Sequence, residues 1–303
     1  MNKMKKMALL LLIAAASNSA KAQNEVIRLQ AGQAFTLHSK VVAVGTGLPP
    51  KYLWYRDGSP IAGATSPDYT IPAPQAVGSN VQFKRAAYTD GCAERIFTNT
   101  VTITWCNLLI DGVCWADANV AQPGTFAPRP DMYTEMYQWN QPSVAWATDG
   151  STTGWVSNIT APAWTSTPCP EGWRLPTLTE IQALHNAGGN LSGNSGGVWV
   201  TGGNRGVATG INGRLYGYAD YLNGTNGKTQ CSLPSTMAGC IFLPAAGYRD
   251  LATGALTVPG GEGNYWSSTP GNVAFGHRLT FTSSISTTIA TNKEYGRTIR
   301  CVQ

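Results

Sequence analysis

The sequence predicts an all-β sandwich over residues 24–105, followed by an α+β unit over residues 106–303. Two patterns carry that division. Up to Trp105 the chain is a series of short β-branched and aromatic runs broken by turn signals, with no helical period. Beyond it, the one run with helical grammar begins at Thr177 and sits among further strand candidates and Gly/Asn-rich loops. Composition supplies the third observation. Charged residues make up 12% of the chain, against about 25% in an ordinary soluble protein. Gly accounts for 34 of 303 residues, there are ten Trp, and 43% of residues are hydrophobic. Such a chain folds, and it is rich in turns and indoles.

Residues 1–22 read as a signal peptide. Lys3, Lys5 and Lys6 precede an apolar run from Met7 to Ala16, and Ser19-Ala20-Lys21-Ala22 supplies a cleavage site before Gln23. The run is about ten residues long, half of the roughly twenty that a helical span requires, so no transmembrane segment is expected. The first cysteine is Cys92, which leaves no N-terminal cysteine for lipidation, and the chain is not read as a lipoprotein. The formal charge is +5; without the four lysines of the leader, 17 basic side chains face 16 acidic ones, a net of +1. Nucleic-acid binding needs a basic stripe that displaces counterions, and this chain has none. The expectation is an exported protein, extracellular, on the cell surface or periplasmic.

In the first unit the strand candidates are residues 26–29, 35–39, 52–56, 69–71, 81–88 and 100–105. Gly45-Thr46-Gly47, Pro49-Pro50, Asp57-Gly58, Gly78-Ser79 and Asp90-Gly91 punctuate them, which predicts antiparallel pairing. Tyr52-Leu53-Trp54-Tyr55-Arg56-Asp57-Gly58 resembles the third strand of immunoglobulin-like domains, with Trp54 as the core indole. Asn99-Thr100-Val101-Thr102-Ile103-Thr104-Trp105 resembles the final strand of the same family. The chain departs from that pattern at its disulfide: the second strand has no cysteine, and Cys92 follows Asp90-Gly91 in a turn. His38 is read as an exposed or satisfied strand residue.

The second unit opens with Leu108-Leu109-Ile110 and Val113-Cys114-Trp115 around Asp111-Gly112, the signal of a hairpin with a type I′ turn. After a long Gly/Pro/Ser/Thr-rich passage, Thr177-Leu178-Thr179-Glu180 forms a capping box. Leu178, Ile181 and Leu184 then place one apolar stripe on a short helix that Gly188-Gly189 ends. Strand candidates follow at residues 198–201, 241–243, 279–281, 285–289 and 298–302.

Three ordered motifs give this unit a likeness. Cys169-Pro170-Glu171-Gly172-Trp173-Arg174-Leu175-Pro176-Thr177, then Tyr265-Trp266-Ser267-Ser268-Thr269, then Ile299-Arg300-Cys301-Val302 resemble the Fibrobacter succinogenes major paralogous domain. Gly112-Val113-Cys114-Trp115-Ala116-Asp117 resembles its entry hairpin. That family is similar to the C-type lectins. The resemblance implies an immunoglobulin-like sandwich followed by a C-type-lectin-like domain, and a Cys169–Cys301 bridge joining the helix entry to the final strand.

The remaining cysteines are read from spacing. None forms the C-x2-C pairs of zinc sites, and with three His a metal cluster is not expected; nor is any cofactor. Cys231 and Cys240 are near enough to pair locally. For Cys92, Cys106 and Cys114 the hairpin register sets Cys114 opposite Leu109 and Cys106 opposite Asp117, which favours Cys92 pairing with one of the other two.

Gly193-Asn194-Ser195-Gly196-Gly197 fits the G-x-S-x-G nucleophile elbow, but a helix precedes it and a strand follows, the reverse of what that chemistry requires. The eleven acids of the second unit stand singly, so no glycosidase pair emerges. Calcium-dependent lectins carry an acid after the Trp that corresponds to Trp266, and here Ser267-Ser268 follow. A ligand site, if present, is expected in the loops between Asn212 and Trp266, with Tyr248 as stacking surface and Arg249, Asp250, Glu262 and Asn264 as polar handles. The function expected is that of a non-enzymatic cell-surface or adhesion-type protein. Its lectin-like head on an immunoglobulin-like spacer would bind glycan or protein. The alternatives are a purely structural surface protein, or an enzyme of the formylglycine-generating fold class. Nothing in the sequence sets an oligomeric state.

Overall fold

The computed structural model describes residues 25–31, 34–38, 49–72, 80–90, 95–143, 154–187, 190–191, 194–233 and 239–303. The leader with its cleavage site, and Cys92 with its expected pairing, lie outside them. The described residues are β-rich with two short helices.

Eight strands come first: β1 Glu25–Gln30, β2 Phe35–Leu37, β3 Lys51–Arg56, β4 Ser59–Pro60, β5 Tyr69–Ile71, β6 Asn80–Tyr88, β7 Ile96–Phe97 and β8 Val101–Cys106. One sheet runs β1-β8-β6-β3-β4 with β7 beside β6, and β2 pairs with β5 in a second. Leu37 and Ile71 of the small sheet pack with Trp54, Val81, Phe83 and Ile103 of the large one. Trp54 is buried and donates from Nε1 to the Ser66 carbonyl at 3.1 Å. His38 is exposed beside Asp68, as expected.

One pairing departs from the antiparallel expectation. β1 runs parallel to β8, with Glu25 opposite Val101 and Gln30 opposite Cys106. A tight hairpin forces its two strands antiparallel, whereas the first and last strands of this unit are joined through all the others and escape that constraint.

The second set opens with β9 Leu108–Ile110 and β10 Val113–Trp115. Asp111 and Gly112 both have positive φ, 49° and 79°, as a type I′ turn requires. A long irregular passage leads to α1, Leu178–Asn186, whose capping box is complete. Ile181 and Leu184 are buried and Leu178 is half-buried, so the stripe faces the core as predicted. Then come β11 Asn190–Leu191, β12 Asn194–Ser195, β13 Val198–Val200, β14 Gly213–Gly217, α2 Ala219–Asn223, β15 Cys240–Pro244, β16 Tyr248–Arg249, β17 Leu256–Thr257, β18 Gly263–Pro270, β19 Phe275–Phe281 and β20 Ser286–Asn292. Strands β13-β14-β15 and β18-β19-β20 make two three-stranded sheets. Their apolar residues form two clusters drawn from residues 108–302, while the cluster around Trp54 is drawn from residues 27–105.

The strand expected at 298–302 does not form a ladder. Its backbone makes single bridges to Tyr265, Trp115 and Arg174 and accepts from the Val120 and Ala116 amides. Wedged among several elements, it satisfies its polar groups one neighbour at a time. β14 escaped sequence reading because all five of its residues are buried, so no alternation marks it, and Arg214 interrupts its apolar pattern.

Among the described residues there are three disulfides: Cys106–Cys114, Cys169–Cys301 and Cys231–Cys240. The last two meet expectation; the first corrects it. Cys114 does lie opposite Leu109, but Cys106 closes β8, and a bend at Asn107 removes it from the β9 register. That bend brings its Cα within 5.5 Å of Cys114. The bridge therefore links the last strand of the first sheet to the hairpin that opens the second set. Among the described residues, no helix is long and apolar enough to cross a membrane.

Candidate functional site

The loops singled out from sequence are held mostly by their own side chains. Arg249 is fully buried and donates to the Gly254 carbonyl at 2.8 Å. Asn264 is fully buried too; its Oδ1 accepts from Arg297 Nη1 at 2.7 Å, and its Nδ2 donates to the Gly247 carbonyl. Neither reaches an open surface, which corrects their reading as handles. The physical reason is that irregular backbone in a core exposes polar groups that a long side chain can satisfy.

The other three are half-buried. Asp250 accepts from the Ala252 and Thr253 amides and the Thr253 hydroxyl, and these hydrogen bonds, led by the Thr253 amide, hold its carboxyl below the usual range. Glu262 accepts from Thr280 at 2.9 Å and pairs with Arg278 at 3.4 Å. Tyr248 meets Tyr295 edge-on, ring centroids 5.5 Å apart. Tyr248, Asp250 and Glu262 thus each hold local structure.

The sequence motifs form a different kind of centre. Arg174 clasps Glu180 through two contacts, and Pro176, next to buried Leu175, offers its carbonyl to the Ser268 amide and hydroxyl. Tyr265 donates to the Pro244 carbonyl, Trp266 to the Tyr137 carbonyl, and buried Ser267 accepts from the Thr269 amide. Arg300 is buried and donates to Asn119 Oδ1 and to the Ala116, Asp117 and Phe242 carbonyls. These residues knit helix entry, β18 and the closing segment together.

A crevice of about 560 Å3 lies where the first sheet meets the β9–β10 hairpin and the turn at Gly172. Trp105 and Thr104 line it from β8, Trp115 and Asp117 from beyond the bend, Phe126 and Trp173 from the irregular passage, and Gln303 from the closing segment. Trp173 stands edge-on to Phe126, centroids 5.3 Å apart. Four polar atoms of these residues are buried without a hydrogen-bond partner: Nε1 of Trp105 and of Trp115, Oδ1 of Asp117 and Oε1 of Gln303. Two are donors and two are acceptors. Burial pushes the Asp117 carboxyl above the usual range, against the opposing pull of an Asn107 hydrogen bond and of Arg300.

No family model and no curated protein matches this chain.

The crevice residues went unnoticed in the sequence because they come from segments near positions 80, 105, 115, 172 and 303, which only folding assembles. The available signal was Trp105 and Trp115 on either side of the unit boundary. Gly193 of the G-x-S-x-G run lies outside the described residues; Asn194 and Ser195 form β12, and the chain leads on into β13, not into a helix. Among the described residues no group of three or more His, Cys, Asp or Glu is placed to hold a metal.

Proposed function

We propose that this chain is an exported bacterial cell-surface or adhesion-type protein, non-enzymatic, whose lectin-like head on an immunoglobulin-like spacer binds glycan or protein. The observation that carries the reading is the junction crevice, of ligand-site size, with aromatic walls and the amides of Asn80, Asn107 and Gln303 on its lining. The strand order β1-β8-β6-β3-β4 facing β2-β5, with Trp54 between the sheets, supports the immunoglobulin-like spacer. The Cys169–Cys301 bridge between helix entry and closing segment supports the lectin-like head, as does the knitting of the three motifs.

A second reading, a structural surface protein without a ligand, draws on the burial of Arg214, Arg249, Lys293, Arg297 and Arg300 inside the fold. Two measurements decide. Fractionation of native cells with N-terminal sequencing is expected to find the chain exported and starting at Gln23. The full mature chain on a glycan array is expected to bind a defined set saturably. A cytoplasmic chain that retains Lys21 overturns the surface reading. An exported chain with an empty array, and no saturable binding to a panel of purified surface proteins, replaces the binding reading with the structural one.

A further inference from the structure

The accessible side chains that line the crevice define a chemical class. An anionic ligand such as a phosphate or carboxylate needs donors only, and a cation needs acceptors only. Here the amides of Asn80, Asn107 and Gln303, each a donor and an acceptor, line the crevice, and none of the three is fully buried. A hydroxyl group both donates and accepts, and so does an amide. The lining also contains the acidic residues Asp117 and Glu171 and no Lys or Arg, which disfavours an anion. Trp173, half-buried beside Phe126, offers a ring to the apolar face of a ligand.

We propose that the junction crevice is the ligand site of this protein and that it takes a neutral, hydroxyl-rich ligand of the saccharide class. This rests on the binding reading above and moves the site away from the loops at 248–264. Because Asn80 belongs to β6 and Trp173 to the second set of elements, one ligand would contact both units. The Cys106–Cys114 bridge at its edge holds the two walls at a fixed spacing, which limits the ordering cost of binding.

The test titrates the full mature chain with N-acetylglucosamine, galactose, mannose and their disaccharides, and with glucuronate as the anionic comparison. Calorimetry and intrinsic tryptophan fluorescence read the binding. Asn80→Ala removes an amide from the wall of the first sheet; Trp173→Ala removes the stacking face; Gln303→Ala removes an amide from the closing segment. Thermal melts show which variants are folded. A neutral saccharide is expected to bind and change indole emission, with glucuronate at least tenfold weaker. Each folded variant is expected to weaken binding about tenfold, the effect of one lost hydrogen bond or stacking contact. Neutral-saccharide binding that survives all three variants but falls with Asp250→Ala returns the site to the loops and overturns this inference, leaving the binding reading intact. Preference for glucuronate, or no response to any neutral saccharide, also overturns it; the glycan array and the protein panel then decide the broader reading separately.

Discussion

Arg300 shows how a charge-poor protein uses the few charges that it has. Its guanidinium is fully buried with no ion pair among the described residues, and it serves four acceptors drawn from the second unit. Lys293 does the same for the Ala161, Asn272 and Val273 carbonyls, with its ammonium over the Trp139 ring. Arg214 collects carbonyls of Gly196, Thr282 and Ser283. Burial lowers the pKa of each of the three, since the charged form loses water. The cations act as internal ties for loops that have no ladder. Arg300→Met keeps much of the volume but strands several acceptors, each at about 1–3 kcal/mol. The expected loss is about 3–5 kcal/mol by urea unfolding, comparable to breaking a buried charged network. A midpoint equal to that of the parent protein would remove Arg300 from this role.

At the scale of the element, α1 depends on Glu180. Its carboxylate accepts from the Thr177 amide at 2.7 Å and holds the Arg174 guanidinium at 2.5 and 2.8 Å. Burial pushes the carboxyl up, but the hydrogen bonds from Arg174 and Thr177 outweigh it, and the net shift is below the ordinary 4.5. A folded-state value below the unfolded one contributes stability that is complete above the unfolded pKa and is lost as pH falls through the folded one. The stabilising contribution of Glu180 is therefore expected to be full above the ordinary 4.5 and to fall away as pH drops below it through the lowered folded-state value. Melting temperatures of parent and Glu180→Gln across that range check it: the gap between them should close on the acid side. A gap independent of pH would show that charge plays no part. The helix was legible because its signals are local, in Thr177, Glu180 and the Ile181/Leu184 stripe. The segment 298–302 was misread because its β-branched residues satisfy contacts that no local pattern records.

For the whole molecule the disulfides decide most. Cys169–Cys301 spans 132 positions, and chain entropy alone gives it roughly 5 kcal/mol. Cys301→Ser is expected to lose most of that in equilibrium unfolding, whereas Cys106→Ser, across eight positions, should lose only about half as much. Equal losses would contradict the entropic account. Non-reducing peptide mapping should recover Cys106–Cys114, Cys169–Cys301 and Cys231–Cys240 as three separate linked pairs. Cys106 found with Cys92 instead would restore the pairing that hairpin register favoured.

The sequence by itself determined what neighbours along the chain decide: the strands around Trp54, the Asp111-Gly112 turn, the capped helix and the short Cys231–Cys240 loop. These follow from steric preferences and hydrogen bonds within a few residues. Tertiary structure alone decided which polar side chains turn inward. Arg249 and Asn264 look like surface handles in a Tyr- and Gly-rich loop, yet both are buried because the backbone around them needed partners. It also decided the parallel pairing of β1 with β8 and the bend at Asn107 that joins Cys106 to Cys114. The junction crevice belongs to the same class, since its walls come from segments far apart in the chain that meet only when both sets of elements have folded.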